Sequence, residues 1–394
     1  MNCYYLKVLV FLFSLSLTQR GYKKFNRPPK NFSERLFLIS QHPSNVSHHP
    51  SNIIPLTSYI LPSQRDVVVV FLMEHREIPL IAVLILLIIG VNLKIPGYIG
   101  SNYMNILKNC TLNLVMAAGM LCVLLIGSID ISVAAVLELS AAIAGVLMRD
   151  GYISSTFMMF VVGVGIGAAV GMINGVLMSY GRVLPIIVTL GMTYMARALI
   201  PMDFILGMNK IARINLTDHF KDFILEKYMG VPLIVFITAG VVLVIGLFLK
   251  YTKTGRSIYA VGSNAEAAQM RGVHVKGIKV LAHVICGATA GMSGIMRLAE
   301  YNAIEKGAAT GGEMYVIAAC VLGGVSVMGG YGKMTGVVIG ALLIATIDSA
   351  IPQLFMGATM MKEFFKGILI LAAILLNVIL QRTAEKRNLK GRNI

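Results

Sequence analysis

Long apolar runs separated by short polar segments recur along the chain from residue 78 to residue 380. A helix needs about 20 apolar residues to cross the hydrocarbon core of a bilayer, with a range of about 17 to 25. Several runs are shorter, which predicts broken or re-entrant helices packed away from lipid. The pattern therefore predicts an all-α, polytopic membrane protein of about ten transmembrane or re-entrant helices: Ile78–Leu93, Leu112–Ile126, Val133–Met148, Phe157–Tyr180, Pro185–Ile200, Val231–Leu249, Val280–Leu298, Met314–Met328, Gly336–Ala350 and Phe364–Leu380.

The polar segment 250–279 lies between two of these apolar runs. It contains six basic residues and one acidic residue, Glu266. Short loops rich in Lys and Arg stay on the cytoplasmic side of a membrane. Ser263 or Asn264 can cap a short helix within the segment, and Gly272 can end it. The pattern fits a docking surface for a cytoplasmic partner and an ordinary solvated helix equally well.

Composition and charge also indicate a membrane protein. Hydrophobic residues make up 57 % of the chain and charged residues 13 %, whereas a soluble domain has about 25 % charged residues. The net charge of +16 is concentrated in loops and tails, so the expected partner is a lipid bilayer and not a nucleic acid. Alternation from a cytoplasmic segment 250–279 places both ends of the ten-helix core inside. The basic tail, residues 382–394, agrees with this topology.

The first 72 residues differ in composition from the rest of the chain. Residues 18–65 are polar and rich in Pro, Asn, Ser and His, a composition typical of disorder. Met73 begins a short charged segment that precedes the first apolar run. The pattern predicts a non-native or disordered extension over residues 1–72 and a transmembrane domain over residues 73–381. A genuine N-terminal tail is the alternative.

Nothing in the sequence indicates catalysis or metal binding. The five cysteines are scattered without a CxxC spacing, and the histidines are dispersed. Buried free thiols are therefore expected, with no metal site. The chain is predicted not to be an enzyme.

The segment Glu266-Ala267-Ala268, followed after three residues by Gly272, resembles the EAA-type coupling loop of ABC importer permeases. The surrounding GRSIYAVGSNAEAAQMRGV resembles the sugar branch, which carries ribose, xylose, rhamnose or autoinducer-2. The resemblance extends from about residue 78 to residue 381. It implies that the residues coupling to an ATPase are Asn264, Glu266, Ala267, Ala268, Arg271 and Gly272.

The resemblance also implies the partners of the chain. A separate cytoplasmic ABC ATPase would use ATP and Mg²⁺, while this chain would bind no cofactor. An extracytoplasmic sugar-binding protein would deliver the substrate. A second permease copy, identical or similar, would complete the pathway in a bacterial inner membrane.

The segment GSIDIS, residues 127–132, resembles the GGIDLS signature near the translocation path of sugar permeases. Asp130 could therefore line the pathway. The carboxylate could equally cap the following helix with help from Ser132, and the two roles are compatible. Glu138 lies within an apolar run with no charge nearby in the sequence. A pathway-lining role and a neutral, hydrogen-bonded carboxyl both remain open for Glu138.

Four further polar residues are candidates for lining a sugar pathway, because sugars are bound by amide, hydroxyl and aromatic groups. Thr189 lies in a segment, residues 185–191, that resembles the PxIVTLG segment of the family. The alternative is hydrogen bonding between helices, worth about 1 kcal/mol or less for each bond. The four candidates are Asn174, Thr189, Thr193 and Tyr194.

The glycine-rich segment 323–333 could suggest a phosphate-binding loop, but GxxxxGK would require a glycine at Val327. Met334 also replaces the Ser or Thr that would hold Mg²⁺. The segment resembles the LGG…GG turn of the family instead. The resemblance implies a re-entrant turn and close packing at Gly323, Gly324, Gly329 and Gly330.

Two other function classes compete with the importer. An ion-coupled secondary sugar transporter would use a relay of intramembrane ionisable groups, for which only Asp130 and Glu138 lie well within the apolar runs. A membrane scaffold or channel without a pumping role is the other alternative.

Overall fold

The computed structural model describes residues 77–200, 211–213, 220, 224–305, 307–354, 364, 367–368 and 371. The predicted extension, the basic tail and most of the predicted segment Phe364–Leu380 lie outside these residues. The predicted domain boundaries at residues 72 and 381 therefore stay predictions.

The described part of the chain is mostly helical, with two pairs of short antiparallel strands. Strand β1 (Ile211–Arg213) pairs with β4 (Ala303–Glu305), and β2 (Lys227–Tyr228) pairs with β3 (Val231–Pro232). Among the described residues, helices with defined bounds are α1 Glu77–Lys94, α2 Tyr98–Leu125, α3 Val133–Arg149, α4 Thr156–Ser179, α5 Pro185–Leu199, α6 Leu233–Tyr251, α7 Lys253–Ser263, α8 Ala265–Met270, α9 Val275–Tyr301, α10 Gly312–Leu322 and α11 Met334–Leu354.

Five of the described helices are long and apolar enough to cross a membrane: α2, α4, α6, α9 and α11. Helices α5 and α10 are shorter but also apolar. The prediction of a helical, multi-pass membrane protein is confirmed.

Helix α9 begins at Val275, before the predicted Val280, and two other predicted boundaries differ more from the structure. Helix α2 begins at Tyr98 rather than Leu112, because the polar residues before Leu112 are compatible with helix and continue it. Helix α10 ends at Leu322, although the apolar run predicted a segment extending to Met328. Glycines carry the backbone out of the helix there, since Gly324 adopts a φ of +80°.

Helix α9 lies at the centre of the fold and packs against α2, α3 and α4. Its contact with α4 is a backbone contact: a β-carbon at Gly167 would overlap the carbonyl oxygen of Gly287. Small residues permit this close approach between helices in lipid. Across the core, the Ser293 hydroxyl donates to the Leu112 carbonyl at 3.1 Å. These contacts fix α9, whose first residues come shortly after α8.

Four cysteines lie among the described residues, and all four are buried free thiols: Cys110, Cys122, Cys286 and Cys320. This confirms the prediction for those positions. Within the described residues, no three His, Cys, Asp or Glu side chains are grouped in a way that could hold a metal ion.

Candidate functional site

The polar segment between α6 and α9 folds as two helices, of which the sequence predicted only the second. The first, α7, begins at a cap in which the Thr252 hydroxyl oxygen accepts a hydrogen bond from the Gly255 N–H at 2.9 Å. Gly255, Ile258 and Val261 are buried, whereas Arg256 on the opposite face is exposed. Helix α7 is therefore amphipathic and lies with one face against the core.

Helix α8 is short and closed at both ends. Asn264 Oδ1 accepts a hydrogen bond from the Ala267 N–H at 2.9 Å, the N-cap geometry predicted for Ser263 or Asn264. At the other end Gly272 adopts a φ of +80°. The Val273 N–H then donates to the Ala268 carbonyl at 3.1 Å, which completes a Schellman motif. Both ends of α8 are thus held by local hydrogen bonds.

One side of α8 is free for contact with another molecule. Ala268 is the only buried residue in the helix, and Met270 is 87 % exposed. The exposed positions of α8 and its C-terminal end are Glu266, Ala267, Gln269, Met270 and Arg271. A short rigid helix with this exposed face is suited to docking.

Three segments that are distant in sequence meet at the end of α7, and we call their contact the glycine junction. It comprises residues 125–127 at the end of α2, residues 262–263 at the end of α7, and residues 328–332 between α10 and α11. The junction therefore joins the α7–α8 pair to the end of α2 and to the connection between α10 and α11.

Backbone contacts hold the glycine junction together. The Gly330 N–H donates to the Leu125 carbonyl at 2.8 Å. A β-carbon at Gly262 would overlap that same carbonyl oxygen. Nearby, the Tyr259 hydroxyl of α7 donates to the Gly332 carbonyl at 2.9 Å, and burial raises the pKa of Tyr259. A displacement of α7 would thus act directly on the ends of α2 and of the connection between α10 and α11.

The glycines predicted for a re-entrant turn lie in this connection between α10 and α11. Gly324, Gly329 and Gly330 have φ values of +80°, +92° and +74°, which favour glycine. Gly323 has an ordinary φ of −62° and lies against the backbone of Gly336. The chain turns here and returns as α11.

A buried polar chain starts beside the junction. Asp130 Oδ1 accepts hydrogen bonds from the Ser132 N–H at 2.9 Å and from the Ser132 hydroxyl at 2.6 Å. Asn174 Nδ2 of α4 donates to the Ser132 hydroxyl oxygen at 2.9 Å. Ser128 lies 3.3 Å from His283 Nε2 of α9. These contacts tie the loop before α3 to α4 and α9. Ser132 is the N-cap residue of α3, and Asp130 lies two residues before it and bonds to Ser132.

A cavity of about 670 Å³ opens behind α8. Gln269 of α8 lines it on one side, and Arg182 of the α4–α5 loop lines it on the other. Lys276 and Lys279 add positive charge, and the lining contains no carboxylate. Gln269 of α8 therefore borders open space.

A family described as "Branched-chain amino acid transport system / permease component" matches residues 102–374. The chain belongs to this family of transport permeases. The family and its similar members are transport permease subunits and not enzymes, which confirms the prediction that the chain is not an enzyme.

The permease is similar over most of its length to sugar import permeases. It is 33 % identical to the ribose import permease protein RbsC of Escherichia coli over 324 residues, covering 82 % of this chain and 99 % of that protein. It is 30 % identical to the autoinducer 2 import system permease protein LsrC of the same species, covering 81 % and 92 %. The L-arabinose ABC transporter permease protein AraH of Azospirillum brasilense is 31 % identical, covering 75 % and 86 %. No solved structure matches the chain.

The other predicted pathway residues, Thr189, Thr193 and Tyr194, lie on α5. The Thr189 hydroxyl donates to the Pro185 carbonyl at 3.0 Å, and the Thr193 hydroxyl donates to the Thr189 carbonyl at 2.8 Å. Both threonines are buried, whereas Tyr194 is 70 % exposed. Within one copy of the permease, only Tyr194 of these three presents its side chain to the surroundings.

Glu138 has partners that the sequence did not reveal. It accepts hydrogen bonds from the Ala309 N–H at 2.6 Å and the Gly307 N–H at 3.2 Å. Arg197 Nε of α5 lies 3.6 Å from its Oε2, and Arg197 Nη2 lies 3.7 Å from Glu313 Oε2. The buried carboxylate thus joins α3 to α5 and to the loop before α10. These partners come from elements distant along the chain, so the absence of a charge near Glu138 in the sequence did not predict them.

Proposed function

We propose that the chain is the membrane-spanning permease subunit of an ATP-driven ABC importer for a pentose or a related sugar. Similarity to import permeases for ribose, L-arabinose and autoinducer 2 supports this substrate class. In the proposed topology about ten transmembrane or re-entrant segments lie in a bacterial inner membrane, with both ends of the core in the cytoplasm. The chain itself binds no cofactor.

A separate cytoplasmic ABC ATPase docks on α8 in this proposal. The observation that carries it is the closed, exposed helix α8 joined through α7 to the glycine junction. The residues proposed to form the docking surface or to hold its shape are Asn264, Glu266, Ala267, Ala268, Arg271 and Gly272. ATP and Mg²⁺ are bound by the ATPase and supply the energy.

Movement of α8 would reach the pathway through the glycine junction. The junction contains the end of α2 and the turn before α11, and the Asp130–Ser132–Asn174 chain lies beside it. A ligand can shift a conformational equilibrium only through different contacts with the two states. Docking of the ATPase at α8 would supply that difference, and the helices would alternate between inward and outward access.

Two permease copies, identical or similar, would enclose the pathway, and an extracytoplasmic sugar-binding protein would deliver the sugar. Tyr194 is placed to face the pathway or the second copy because it is exposed on α5. The other four candidates are buried within one copy: Asp130, Asn174, Thr189 and Thr193. In this proposal they do not contact the sugar directly but hold in position the helices that line the pathway.

Substitutions in α8 test the docking of the ATPase. Glu266→Ala removes an exposed carboxylate, and Asn264→Ala removes the N-cap, whose loss costs about 1 kcal/mol of helix stability. We expect each variant to bind the ATPase about tenfold more weakly, as for a residue central to an interface. ATP-dependent uptake should fall in parallel. Co-purification of the ATPase and uptake into vesicles measure the two effects.

Asp150→Ala is the matched control, because Asp150 is also an exposed carboxylate (its side chain is 40 % exposed) but lies at the end of α3. It should retain the ATPase and transport normally. Uptake that continues without any ATPase would instead identify an ion-coupled secondary transporter.

A further inference from the structure

A second cavity, of about 1,090 Å³, lies between α2, α6, α7 and α11. We call it the lateral cleft. Its walls along the membrane-spanning helices are almost entirely apolar, and these side chains include Leu107, Leu114, Val235, Leu243, Val338 and Leu342. Gly246 of α6 leaves room in the cleft, since a β-carbon there would make only ordinary contact, at 3.5 Å, with Met334.

The end of the lateral cleft nearest α7 has a different chemistry. Lys250, Arg256 and Lys333 line it, and the lining contains no carboxylate. Tyr251 positions two of these cations: its carbonyl accepts a hydrogen bond from Arg256 Nη1 at 3.0 Å, and its ring lies 5.0 Å from Lys250 Nζ. The cleft thus combines a long apolar groove with a basic mouth.

We infer that the lateral cleft binds one anionic phospholipid. The apolar walls fit the acyl chains, and the three cations fit the phosphate of the headgroup. Lys and Arg near a membrane surface attract anionic lipids, and basic pockets between transmembrane helices bind anionic headgroups. The basic tail of the chain, residues 382–394, carries the same sign of charge as the mouth, which argues against the tail as the occupant.

The lipid would connect α7 to the membrane. Its headgroup would contact Arg256 and lie beside Tyr259, which also lines the cleft and whose hydroxyl bonds to Gly332 of the glycine junction. An anionic lipid would therefore steady α7 against α6 and α11. The effect on coupling to an ATPase rests on the proposed function, whereas the binding of the lipid does not.

The chain contains no tryptophan, so the tryptophan fluorescence of a variant comes only from the introduced residue. Leu243→Trp places it on the wall of the lateral cleft, and Val244→Trp places it outside the cleft on the same helix, α6. The two native side chains are similarly exposed, at 60 % and 63 %, so the positions differ mainly in whether they line the cleft. The purified full-length protein is reconstituted in mixed vesicles, and fluorescence is quenched with dibrominated phosphatidylglycerol or phosphatidylcholine. We expect phosphatidylglycerol to be preferred about tenfold or more at Leu243→Trp, given three cations. No preference is expected at Val244→Trp.

Charge neutralisation at two sites separates the basic mouth from general surface charge. In the Leu243→Trp background, replacing all three mouth cations by Gln should reduce the preference to about twofold or less. Replacing three cations of the other cavity should preserve it. The two sets are Lys250, Arg256 and Lys333 for the mouth, and Arg182, Lys276 and Lys279 for the control.

Gly246→Leu fills the groove and leaves the charges of the mouth intact. The test therefore does not depend on whether the variant with three Gln substitutions folds. Gly246→Leu should reduce quenching at Leu243→Trp by either lipid. Equal quenching by both lipids in the unaltered cleft would overturn the inference, as would equal loss of preference in the mouth and control sets. Absence of quenching by any lipid would also overturn it, because a protein segment would then fill the cleft.

Discussion

Gly262→Val is expected to reduce ATP-dependent sugar uptake severely. A side chain at this position must overlap the carbonyl oxygen of Leu125, which also accepts the Gly330 N–H. The end of α7 would have to move away and open the glycine junction. Overpacking of this kind costs about 1 to 3 kcal/mol. Here the displaced element is α7, which in the proposed function transmits the movement of α8 to the glycine junction. We expect less than about a tenth of normal uptake, since 1.4 kcal/mol already corresponds to a factor of about ten.

Gly240→Val is the matched control for this substitution. Gly240 is in the apolar helix α6, and a β-carbon there would meet no atom within 4 Å. This variant should transport normally. Co-purification of the ATPase with Gly262→Val distinguishes a loss of coupling through α7 from misfolding of the permease. Helix α8 itself is unchanged in this variant and should still bind the ATPase. Normal uptake by Gly262→Val would contradict the role of the junction.

Glu138→Leu is expected to cause the largest loss of stability. The substitution leaves Arg197 with one acidic partner, Glu313, and leaves the N–H groups of Gly307 and Ala309 without their acceptor. Removing one partner of a buried ion pair costs about 3 to 5 kcal/mol. The midpoint of thermal unfolding in detergent should fall strongly, and the loop before α10 should become accessible to protease.

The double variant Glu138→Leu/Arg197→Leu should regain part of this loss, because it also removes the Arg197 guanidinium, whose charge Glu313 alone balances in the single variant. Asp150→Ala breaks an exposed ion pair with Arg149 and should change stability by about 1 kcal/mol or less. If Glu138→Leu is as stable as Asp150→Ala, the buried cluster does not hold α3, α5 and α10 together.

The sequence predicted features that depend on local chemistry. The short helix α8 was predicted with its cap at Ser263 or Asn264 and its end at Gly272, because a cap and a left-handed glycine act over a few residues. The apolar runs likewise predicted the existence of most described helices. The amphipathic helix α7 was missed, since its polar residues also fit a solvated loop.

Features that depend on tertiary contacts could not be read from one sequence. The partners of Glu138 lie far along the chain, at Arg197 and residues 307–309. The glycine junction joins three distant segments through backbone atoms, whose approach has no side-chain signature. An apolar run also cannot show that α10 ends at Leu322, because a buried turn is as apolar as the helix before it.

The sidedness of α8 tests the central claim most directly. Met270→Cys is placed on the exposed tip of α8 (87 % exposed), and Tyr152→Cys lies in the loop after α3 (79 % exposed). The four described native cysteines are buried and give little background, and Cys3 is replaced by Ser. A membrane-impermeant maleimide is applied to right-side-out and inverted vesicles stripped of ATPase. The account predicts labelling of Met270→Cys only in inverted vesicles and of Tyr152→Cys only in right-side-out vesicles; labelling of Met270→Cys from outside would contradict it.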